Sequence, residues 1–275
     1  MRGNYFVQRV VDSELFYEGN AGGEYYFTNR IVGVGNATKE WGERTVPGLQ
    51  AHWPFNETGG DSVWDSWKNH NGTRHGFDDG WVHGEYGNAL EFDGVDDYVE
   101  VRHCNDLDVS PQSPTPASSI TIFARLNVSS NGTIVGKTDG TKTNYLLHVQ
   151  KNQLCFNFTS NGVDKSINAS IEFNKNVTVA VTYNQTDLVL YINGSVSASR
   201  PQNATLDSCT SPVIIGALNQ GSCHIKMVLD ELWIYSRSLK PTEIQELHQK
   251  NRSVKQSRQS RGPSETRAFS SCSLS

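Results

Sequence analysis

The densest group of residues that could perform chemistry is an acidic turn. Asp93, Asp96 and Asp97 fall within the five residues DGVDD, and a second acidic pair, Asp230 and Glu231, lies near the C-terminal end. Clustered carboxylates and loop carbonyls are the ligands of Ca²⁺, which takes about six to eight oxygens at about 2.3–2.6 Å. The alternative is that these side chains accept hydrogen bonds from nearby backbone N–H groups and cap turns, which explains the Asp-Gly pair well.

A polar loop between Asn56 and Asp79 carries the aromatic residues that a core explains least well. Two tryptophans in this loop lie among Asp, Asn and His side chains, whereas most other aromatic residues alternate in strand patterns that indicate core packing. The apolar faces of sugars stack on aromatic rings while polar groups bind the hydroxyls. The residues that we predict to bind a glycan are Trp64, Trp67, Asn69 and His70.

The five cysteines include no C-x-x-C pair, which argues against zinc-ribbon and redox motifs. Cys209 and Cys223 bracket one short predicted strand and could close a loop as a disulfide. Cys104 and Cys155 would then form the second pair, and Cys272 would be left unpaired. The alternative is that the first four are buried free thiols.

Composition excludes two broad classes of function. The net charge is −5, charged residues make up 19% of the 275 residues, and Lys and Arg are not clustered, so the sequence lacks the basic face of a nucleic-acid-binding protein. No run of 18 apolar residues appears, so we predict no membrane span. The first 11 residues lack the apolar region of a secretory signal, so, taken literally, the chain as written is not exported by that route. If the protein nevertheless lies on the cell surface, the sequence is a fragment or has a misassigned start.

Glycosylation sequons point to the cell exterior. The chain holds 12 N-x-S/T sequons among 23 Asn and 47 Ser plus Thr, about three times the number that this composition gives by chance. The alternative is an Asn- and Thr-rich β protein that produces sequons by composition alone. On the first interpretation the protein is extracellular or on the cell surface, with a glycan or a surface protein as its partner. The predicted acceptors are Asn36, Asn56, Asn71, Asn127, Asn131, Asn157, Asn168, Asn176, Asn184, Asn193, Asn203 and Asn251.

The elements that must position these residues are short strands. Ala89–Phe92 and Tyr98–Val101 alternate apolar and polar residues around the Asp-Gly turn and predict one hairpin. Further strand patterns, such as Val213–Ile215 and Lys226–Tyr235, are separated by Asn-Gly and Asp-Gly turns, and such spacing is typical of a sandwich. One short helix is predicted from Pro241 onward, with a capping box from Thr242 to Gln245.

These stretches resemble the LamG-like jelly-roll family, the concanavalin A-like lectin/glucanase superfamily. The resemblance is carried by GEYGNALEFDGVDDYVEV at Gly84–Val101 and by VLDELWIYSRSLKPTEIQEL at Val228–Leu247. Leu49–Gly60 is similar to the family's first strand, and Leu188–Ser195 to its L-x-L-Y-x-D-G strand, with Asn193 in place of the usual Asp. The resemblance implies an all-β, antiparallel β-sandwich jelly roll with one short C-terminal helix.

This resemblance also divides the chain. It covers residues 49–250, which we predict to be the jelly-roll domain. Residues 1–48 precede it, as a β-rich N-terminal extension or the remnant of an upstream domain. Residues 251–275 are polar, rich in Arg and Ser and poor in apolar residues, so we predict a disordered tail.

A calcium site is the first chemical implication of the resemblance. The first and last strands of this topology lie close together, and relatives of the fold often hold a structural calcium. Carboxylates from both ends of the domain could therefore meet in one site. The predicted ligands are Asp65, Asp93, Asp96 and Asp230.

The resemblance argues against catalysis. Catalytic members carry two carboxylates on one strand in a pattern like E-x-D-x-x-E, which places both on one face about 5 Å apart. The chain has no such motif, and we predict that the adjacent Asp230 and Glu231 point to opposite faces. We therefore expect a non-catalytic extracellular recognition module that binds carbohydrate or mediates adhesion. One alternative is a structural or assembly domain of a larger surface or envelope glycoprotein. The other is a glycoside hydrolase, which the absence of the carboxylate motif disfavours.

Overall fold

The computed structural model of the chain describes residues 6–11, 14–18, 46–111, 118–219 and 221–249. The chain divides into two units, Met1–Pro47 and Gly48–Ser275, and each is described by itself. In the first unit, strands β1 (Phe6–Val11) and β2 (Glu14–Glu18) form an antiparallel pair. The predicted tail 251–275, with its sequon at Asn251, lies outside the described residues, as do Asn36 and Cys272.

The second unit is a sandwich of two antiparallel sheets, which confirms the predicted fold class. Sheet I contains, in spatial order, β13 (Val163–Ser170), β12 (Gln153–Ser160), β11 (Thr143–Gln150), β10 (Gly132–Thr138), β17 (Val213–Ile215), β8 (Tyr98–Val101), β5 (Gly72–His75) and β4 (Ser62–Val63). Sheet II contains β16 (Ser195–Pro201), β15 (Asp187–Ile192), β14 (Asn176–Tyr183), β9 (Ile120–Val128), β18 (Lys226–Tyr235), β7 (Asn88–Asp93) and β6 (Trp81–His83), and β3 (Leu49–Trp53) also pairs with β18.

Strand alternation explains the core between the two sheets. In β9, Ile120, Ile122, Ala124 and Leu126 belong to the buried core, whereas the residues between them face the opposite side of sheet II. The same period of two places Leu90 and Phe92 of β7 in the core. One face of each central strand is therefore committed to packing, and the other face is free to carry polar side chains.

The predicted hairpin around the acidic turn is wrong. The strand before the turn, β7, pairs with β18 and β6 in sheet II, whereas the strand after it, β8, pairs with β5 and β17 in sheet I. The turn at Asp93–Asp97 therefore carries the chain from one sheet to the other. Both strands alternate because each buries one face in the shared core, and alternation does not report which sheet a strand joins.

Two local predictions also need correction. The segment predicted as a polar loop, Asn56–Asp79, contains β4 and β5 at the edge of sheet I. The helix α1 (Pro241–Gln249) forms as predicted, but its cap lies two residues earlier. Glu243 Oε2 accepts the backbone N–H of Lys240 at 2.8 Å, in place of the predicted Thr242–Gln245 pair.

Among the described residues, no helix is long and apolar enough to cross a bilayer.

The predicted disulfides are not formed, because the four described cysteines are free. The carbonyl of Cys223 accepts the N–H of Thr133 at one end of β10, whereas Cys209 lies within electrostatic range of Lys137 at the other end. Four residues of strand, about 13 Å, separate these ends, and a disulfide needs Cα atoms within about 7 Å.

The second predicted pair is separated across sheet I. Cys155 lies on β12 and Cys104 follows β8, four strand positions away in the sheet. At about 4.8 Å per strand, this spacing places the two cysteines about 19 Å apart.

Candidate functional site

A groove of about 410 Å³ lies on the side of sheet II that faces away from the core. We call it the sheet II groove. Its floor is a row of cross-strand neighbours from four adjacent strands, Glu91 of β7, Val228 of β18, Asn127 of β9 and Asn176 of β14. Because neighbouring strands are about 4.8 Å apart, this row is about 14 Å long. The other lining residues are Val82, His83, Gly84, Glu85, Arg125, Leu126, Val177 and Asp230.

A β-bulge in β18 brings a carboxylate to the groove. The pairing of β18 with β9 shifts between Leu229 and Glu231, so Asp230 is the extra residue. Leu229 and Leu232 both belong to the core, and Asp230 and Glu231 lie between them outside it. The prediction that these two carboxylates point to opposite faces is therefore wrong, because it assumes a strand without a bulge.

Asp230 forms one wall of the groove. Its Oδ2 accepts the backbone N–H groups of Glu85 and Tyr86 at 2.7 and 3.1 Å, which fixes the segment leading into β7. Its Oδ1 is buried and has no hydrogen-bond partner. Burial raises the pKa of Asp230 to about 6, the neighbouring charge of Glu231 adds to this, and the two N–H groups act in the opposite direction. At pH 7 the groove therefore holds a carboxylate with one unpaired oxygen.

Arg125 lines the groove beside Asp230, on the neighbouring strand β9, and is held on two sides. Its Nη2 donates to the carbonyl of Leu247 in α1 at 2.7 Å. Its guanidinium lies over the ring of Tyr86, 4.7 Å from the centroid, and 5.8 Å from the ring centroid of Phe123. A cation stacked on an aromatic ring and bonded to a helix carbonyl loses little further freedom when it binds a ligand.

The two amides on the groove floor are bonded to each other. Asn127 Nδ2 donates to Asn176 Oδ1 at 3.0 Å across β9 and β14. The other amide atoms, Asn127 Oδ1 and Asn176 Nδ2, are an acceptor and a donor that can bond a ligand hydroxyl. Glu91 and His83 are exposed beside them. The groove thus combines acceptors and donors at a spacing that a polyhydroxylated ligand can meet.

The predicted glycan-binding residues lie elsewhere, in a segment that we call the Trp loop (residues 56–71). Asp65 is buried at its centre and accepts four backbone N–H groups at 2.9–3.0 Å, those of His52, Trp67, Lys68 and His70. The predicted calcium ligand Asp65 therefore organises the loop.

The side chains of the Trp loop differ in exposure. Trp64 and Trp67 are 57% and 39% exposed, and the indole N–H of Trp67 donates to the Leu49 carbonyl at 2.9 Å. Asn69 is exposed with a φ of 65°, whereas His70 is half-buried. Only the two tryptophans present a broad apolar surface to solvent.

The four predicted calcium ligands are not brought together. Within the described residues, Asp93 and Asp96 cluster with Asp97, with one oxygen of each within 4.8 Å of the others. Asp65 is in the Trp loop, and Asp230 lies about four strand positions, or about 13 Å, from Asp93 along the β7–β18 ladder. Asp93 Oδ1 also accepts the N–H groups of Val95 and Asp96 at 2.7 and 3.4 Å, which is the turn-capping role left open above.

One hydrogen-bond chain has the order of a catalytic triad. Ser66 Oγ lies 2.7 Å from His52 Nδ1, and His52 Nε2 lies 2.5 Å from Glu231 Oε2. A nucleophilic serine also needs donors for the oxyanion of its intermediate. The nearby N–H groups of Trp67 and Lys68 are instead donated to Asp65, so this chain ties the Trp loop to β18.

Sequence reasoning missed the sheet II groove. Arg125, Asn127 and Asn176 are polar residues at outward positions of otherwise apolar strands, and that signal is present in the sequence. Their convergence with Glu91 and Asp230 depends on the order β14-β9-β18-β7, which no local pattern specifies.

Two antiparallel sheets, a short final helix and a polar groove on one outer sheet face define a lectin-like jelly roll. A family model described as the concanavalin A-like lectin/glucanases superfamily matches residues 93–245. The chain belongs to this superfamily. A search of curated proteins returned no match.

Solved structures with similar folds include two toxin binding domains. The binding domain of Paraclostridial Mosquitocidal Protein 1 is 19% identical, covers 74% of this chain and 52% of its own, and gives a TM-score of 0.61. The binding domain of botulinum neurotoxin DC in complex with rat synaptotagmin II is 16% identical, with coverages of 74% and 51% and a TM-score of 0.58. The chain thus spans about half the length of these domains, and at these identities the likeness shows the fold.

A third similar structure is a single domain of an enzyme. Domain 4 of AbnA, an extracellular arabinanase from Geobacillus stearothermophilus, was solved in complex with arabinotriose. It is 17% identical, gives a TM-score of 0.58, and is matched over 73% of this chain and 98% of its own length. The described jelly roll therefore corresponds to that complete domain.

Proposed function

We propose that the chain is a non-catalytic carbohydrate-binding module and that a short saccharide binds in the sheet II groove. The observation that carries the proposal is that Asp230, which lines the groove, has one buried carboxylate oxygen, Oδ1, without a hydrogen-bond partner. A buried carboxylate oxygen that lacks a partner costs stability unless a ligand donates to it. A sugar hydroxyl is a donor of the right kind, because it also accepts from Arg125 or an Asn amide.

The size and lining of the groove support a saccharide. Ligand pockets usually measure about 300–1,000 Å³, and this groove is at the small end of that range. Three of the four residues along its floor of about 14 Å are polar, and the ring of Tyr86 lies against the Arg125 guanidinium. Among the similar structures, the arabinanase domain was solved with arabinotriose, and cell entry of botulinum neurotoxin type C depends on interaction with two ganglioside molecules.

Each carboxylate of the bulge holds a structural partner through one of its oxygens, which favours binding over hydrolysis. Asp230 holds two backbone N–H groups and Glu231 holds His52. A retaining glycosidase needs one carboxylate free to attack and a second free to protonate. Release of sugar from a bound oligosaccharide, lost in Asp230→Asn, would identify a hydrolase instead.

The test is a glycan array probed with the full chain, made in a host that does not glycosylate it. We expect selective binding that Glu91→Gln and Asn176→Ala each weaken at least about tenfold, or about 1.4 kcal/mol. Asn168→Ala is the matched control, because Asn168 is an exposed strand Asn on sheet I. Binding that survives both groove variants but is lost in Trp64→Ala would place the ligand on the Trp loop.

No glycan binding on the array would favour the alternative of a structural or adhesive domain. That alternative predicts an oligomer whose population rises with protein concentration, measured by analytical ultracentrifugation. A protein partner on the cell surface would then replace the glycan.

We also propose that Ca²⁺ stabilises the acidic turn. Burial, together with the charges of Asp93 and Asp96, raises the pKa of Asp97 to about 6, so a cation there would relieve repulsion. Three carboxylates fit a hard cation with oxygen ligands. We expect millimolar calcium to raise the melting temperature of the parent chain and to leave that of Asp96→Asn unchanged.

An extracellular or cell-surface location is proposed from the sequons. Of the ten sequon asparagines in the described residues, none is buried, so each amide is accessible to a glycosylating enzyme. Expression in a glycosylating host should therefore give several masses above that of the bare chain. One unmodified mass would contradict the proposal.

A further inference from the structure

Three ligand atoms of different chemistry meet beside the Trp loop. His70 ends this loop, while Cys104 and Asp106 follow β8, where a 3₁₀ turn spans Asn105–Leu107. One ligand atom of each lies within 4.8 Å of the other two. His70 Nε2 and Asp106 Oδ2 are 3.9 Å apart.

His70 is held in place from both sides of its backbone. Its N–H donates to Asp65 Oδ2 at 3.0 Å, and its carbonyl accepts the indole N–H of Trp53 at 2.8 Å. Trp53 is fully buried and Asp65 is buried, so both anchors are rigid. The backbone from which the imidazole projects is therefore fixed before any ligand arrives.

The imidazole itself lacks a partner. The side chain of His70 is 10% exposed, and its buried Nε2 has no hydrogen-bond partner. A neutral imidazole carries a lone pair on its unprotonated ring nitrogen, and that lone pair can bind a metal. A buried ring nitrogen without a partner, aimed at a thiol and a carboxylate, indicates a missing ligand.

We propose that His70, Cys104 and Asp106 bind Zn²⁺ and leave a fourth position for water. Zinc takes nitrogen, sulfur and oxygen ligands at about 2.0–2.3 Å in a tetrahedral arrangement. Two ligands at about 2.0 Å from a tetrahedral metal lie about 3.3 Å apart, so the His70–Asp106 separation has to shorten by about 0.6 Å. Calcium is a poor fit, because it takes about six to eight oxygens and no thiolate.

The surroundings permit loading. Asp106 is one-third exposed, which gives the ion a route from solvent. Lys68 Nζ donates to Asp106 Oδ2 at 3.0 Å, and the second carboxylate oxygen provides another acceptor for a metal. The thiol of Cys104 releases its proton to solvent when the metal binds. The bound ion would tie the Trp loop to the turn after β8.

The test uses Co²⁺ as a spectroscopic substitute for Zn²⁺. The full chain is purified with a phosphine reductant and titrated with Co²⁺. We expect visible bands of a tetrahedral ion, a near-ultraviolet sulfur-to-cobalt charge-transfer band, and loss of both when one equivalent of Zn²⁺ is added. The acidic turn offers only carboxylates and gives no sulfur band.

Matched variants assign the ligands. Cys104→Ser should abolish the charge-transfer band, whereas Cys155→Ser, at another half-buried free cysteine, should keep it. His70→Ala and Asp106→Asn should each weaken Co²⁺ binding at least about 100-fold, since loss of a supporting residue alone costs about 10–100-fold. Unchanged melting temperatures of the metal-free variants would show that they fold.

The proposal is overturned if the chain binds Co²⁺ without a sulfur band, or if that band survives Cys104→Ser. It is also overturned if Asp106→Asn, the least buried change, leaves metal affinity unchanged. Because the glycan array reads binding at the groove, failure of one proposal leaves the other intact.

Discussion

The Trp loop and the sheet II groove are both polar, but they use their polar groups differently. In the loop, one buried carboxylate accepts four backbone N–H groups, so its hydrogen-bonding capacity is consumed by folding. In the groove, Asp230 retains an unpaired oxygen and the floor amides retain free donors and acceptors. A dense run of polar residues whose hydrogen bonds are all made within the protein is therefore a weak sign of a binding site. A sparse set of polar residues with unused donors and acceptors is a stronger one.

Removing the centre of the loop should produce the largest change in stability. Asp65→Ala leaves four backbone N–H groups without their acceptor, and we expect the free energy of unfolding to fall by about 3–4 kcal/mol. Asp65→Asn, which keeps one oxygen, should lose less. Urea denaturation measures both, and a loss below about 1 kcal/mol in Asp65→Ala would contradict the organising role. Glu91→Gln in the groove should change stability by no more than about 0.5 kcal/mol.

Glycans attached to the groove should block it. Asn127 and Asn176 are both sequon residues and both lie on the groove floor. We expect chains with either site occupied, verified by peptide mass, to bind the saccharide at least about tenfold more weakly than the bare chain. A glycan at Asn168 on sheet I is the internal control and should have no effect. If chains with a glycan on a groove asparagine bind the saccharide with full affinity, the binding site lies outside the sheet II groove.

One buried carboxyl in the groove and one in the acidic turn should both contribute to the pH dependence of stability, and variants of each separate their contributions. Burial raises the pKa of both Asp230 and Asp97 to about 6, whereas a carboxyl in the unfolded chain titrates near pH 4. Between about pH 4 and 6 the folded state therefore binds more protons, and the free energy of unfolding falls as pH rises. Asp230→Asn should remove about 1–2 kcal/mol of this fall.

Urea denaturation at pH 4.5 and 7 measures that difference. Asp97→Asn is the matched variant. It should remove the part of the pH-dependent fall in the free energy of unfolding that comes from the acidic turn. The assignment to Asp230 fails if Asp230→Asn and the parent chain lose the same free energy of unfolding between pH 4.5 and 7.

The exposed tryptophans should give the smallest effects. Trp64 is more exposed than Trp67, and only the Trp67 indole has the N–H bond to Leu49 described above. We expect Trp64→Ala to change stability by no more than about 0.5 kcal/mol and Trp67→Ala to cost about 1 kcal/mol. Neither should alter saccharide affinity measured by calorimetry. A tenfold loss in either variant would restore the loop as a ligand site.

Much of the fold could be predicted from the sequence because period-two patterns report burial. Strands Val213–Ile215 and Lys226–Tyr235 match their predicted bounds, and the first and last strands of the domain, β3 and β18, are paired as expected. The hairpin prediction was wrong because both strands around the acidic turn bury one face in the same core. Pattern alone does not distinguish a return within one sheet from a crossing between two.

The candidate sites were harder to predict because they depend on insertions and distant partners. One extra residue at Asp230 reverses which face a carboxylate occupies, and the sequence DEL carries no sign of that bulge. The disulfides failed because cysteine spacing along the chain does not report distance across a sheet. His70 and Cys104 were assigned to different roles, since 34 residues of sequence conceal that they are neighbours in space.

The pairing of β3 with β18 has a consequence for biosynthesis. Gln50 and Ser236, which join the ends of these strands through a 2.6 Å hydrogen bond, are 186 residues apart in the chain. At about 5–20 residues per second, a ribosome needs about 10–40 s to make the partner that completes this edge. During that interval the nascent Leu49–Trp53 segment lacks its strand partner β18, although His52 can already bond Asp65 and Ser66 of the Trp loop. Synthesis speed and chaperone capture at this one strand should therefore govern how much of the protein reaches its folded form.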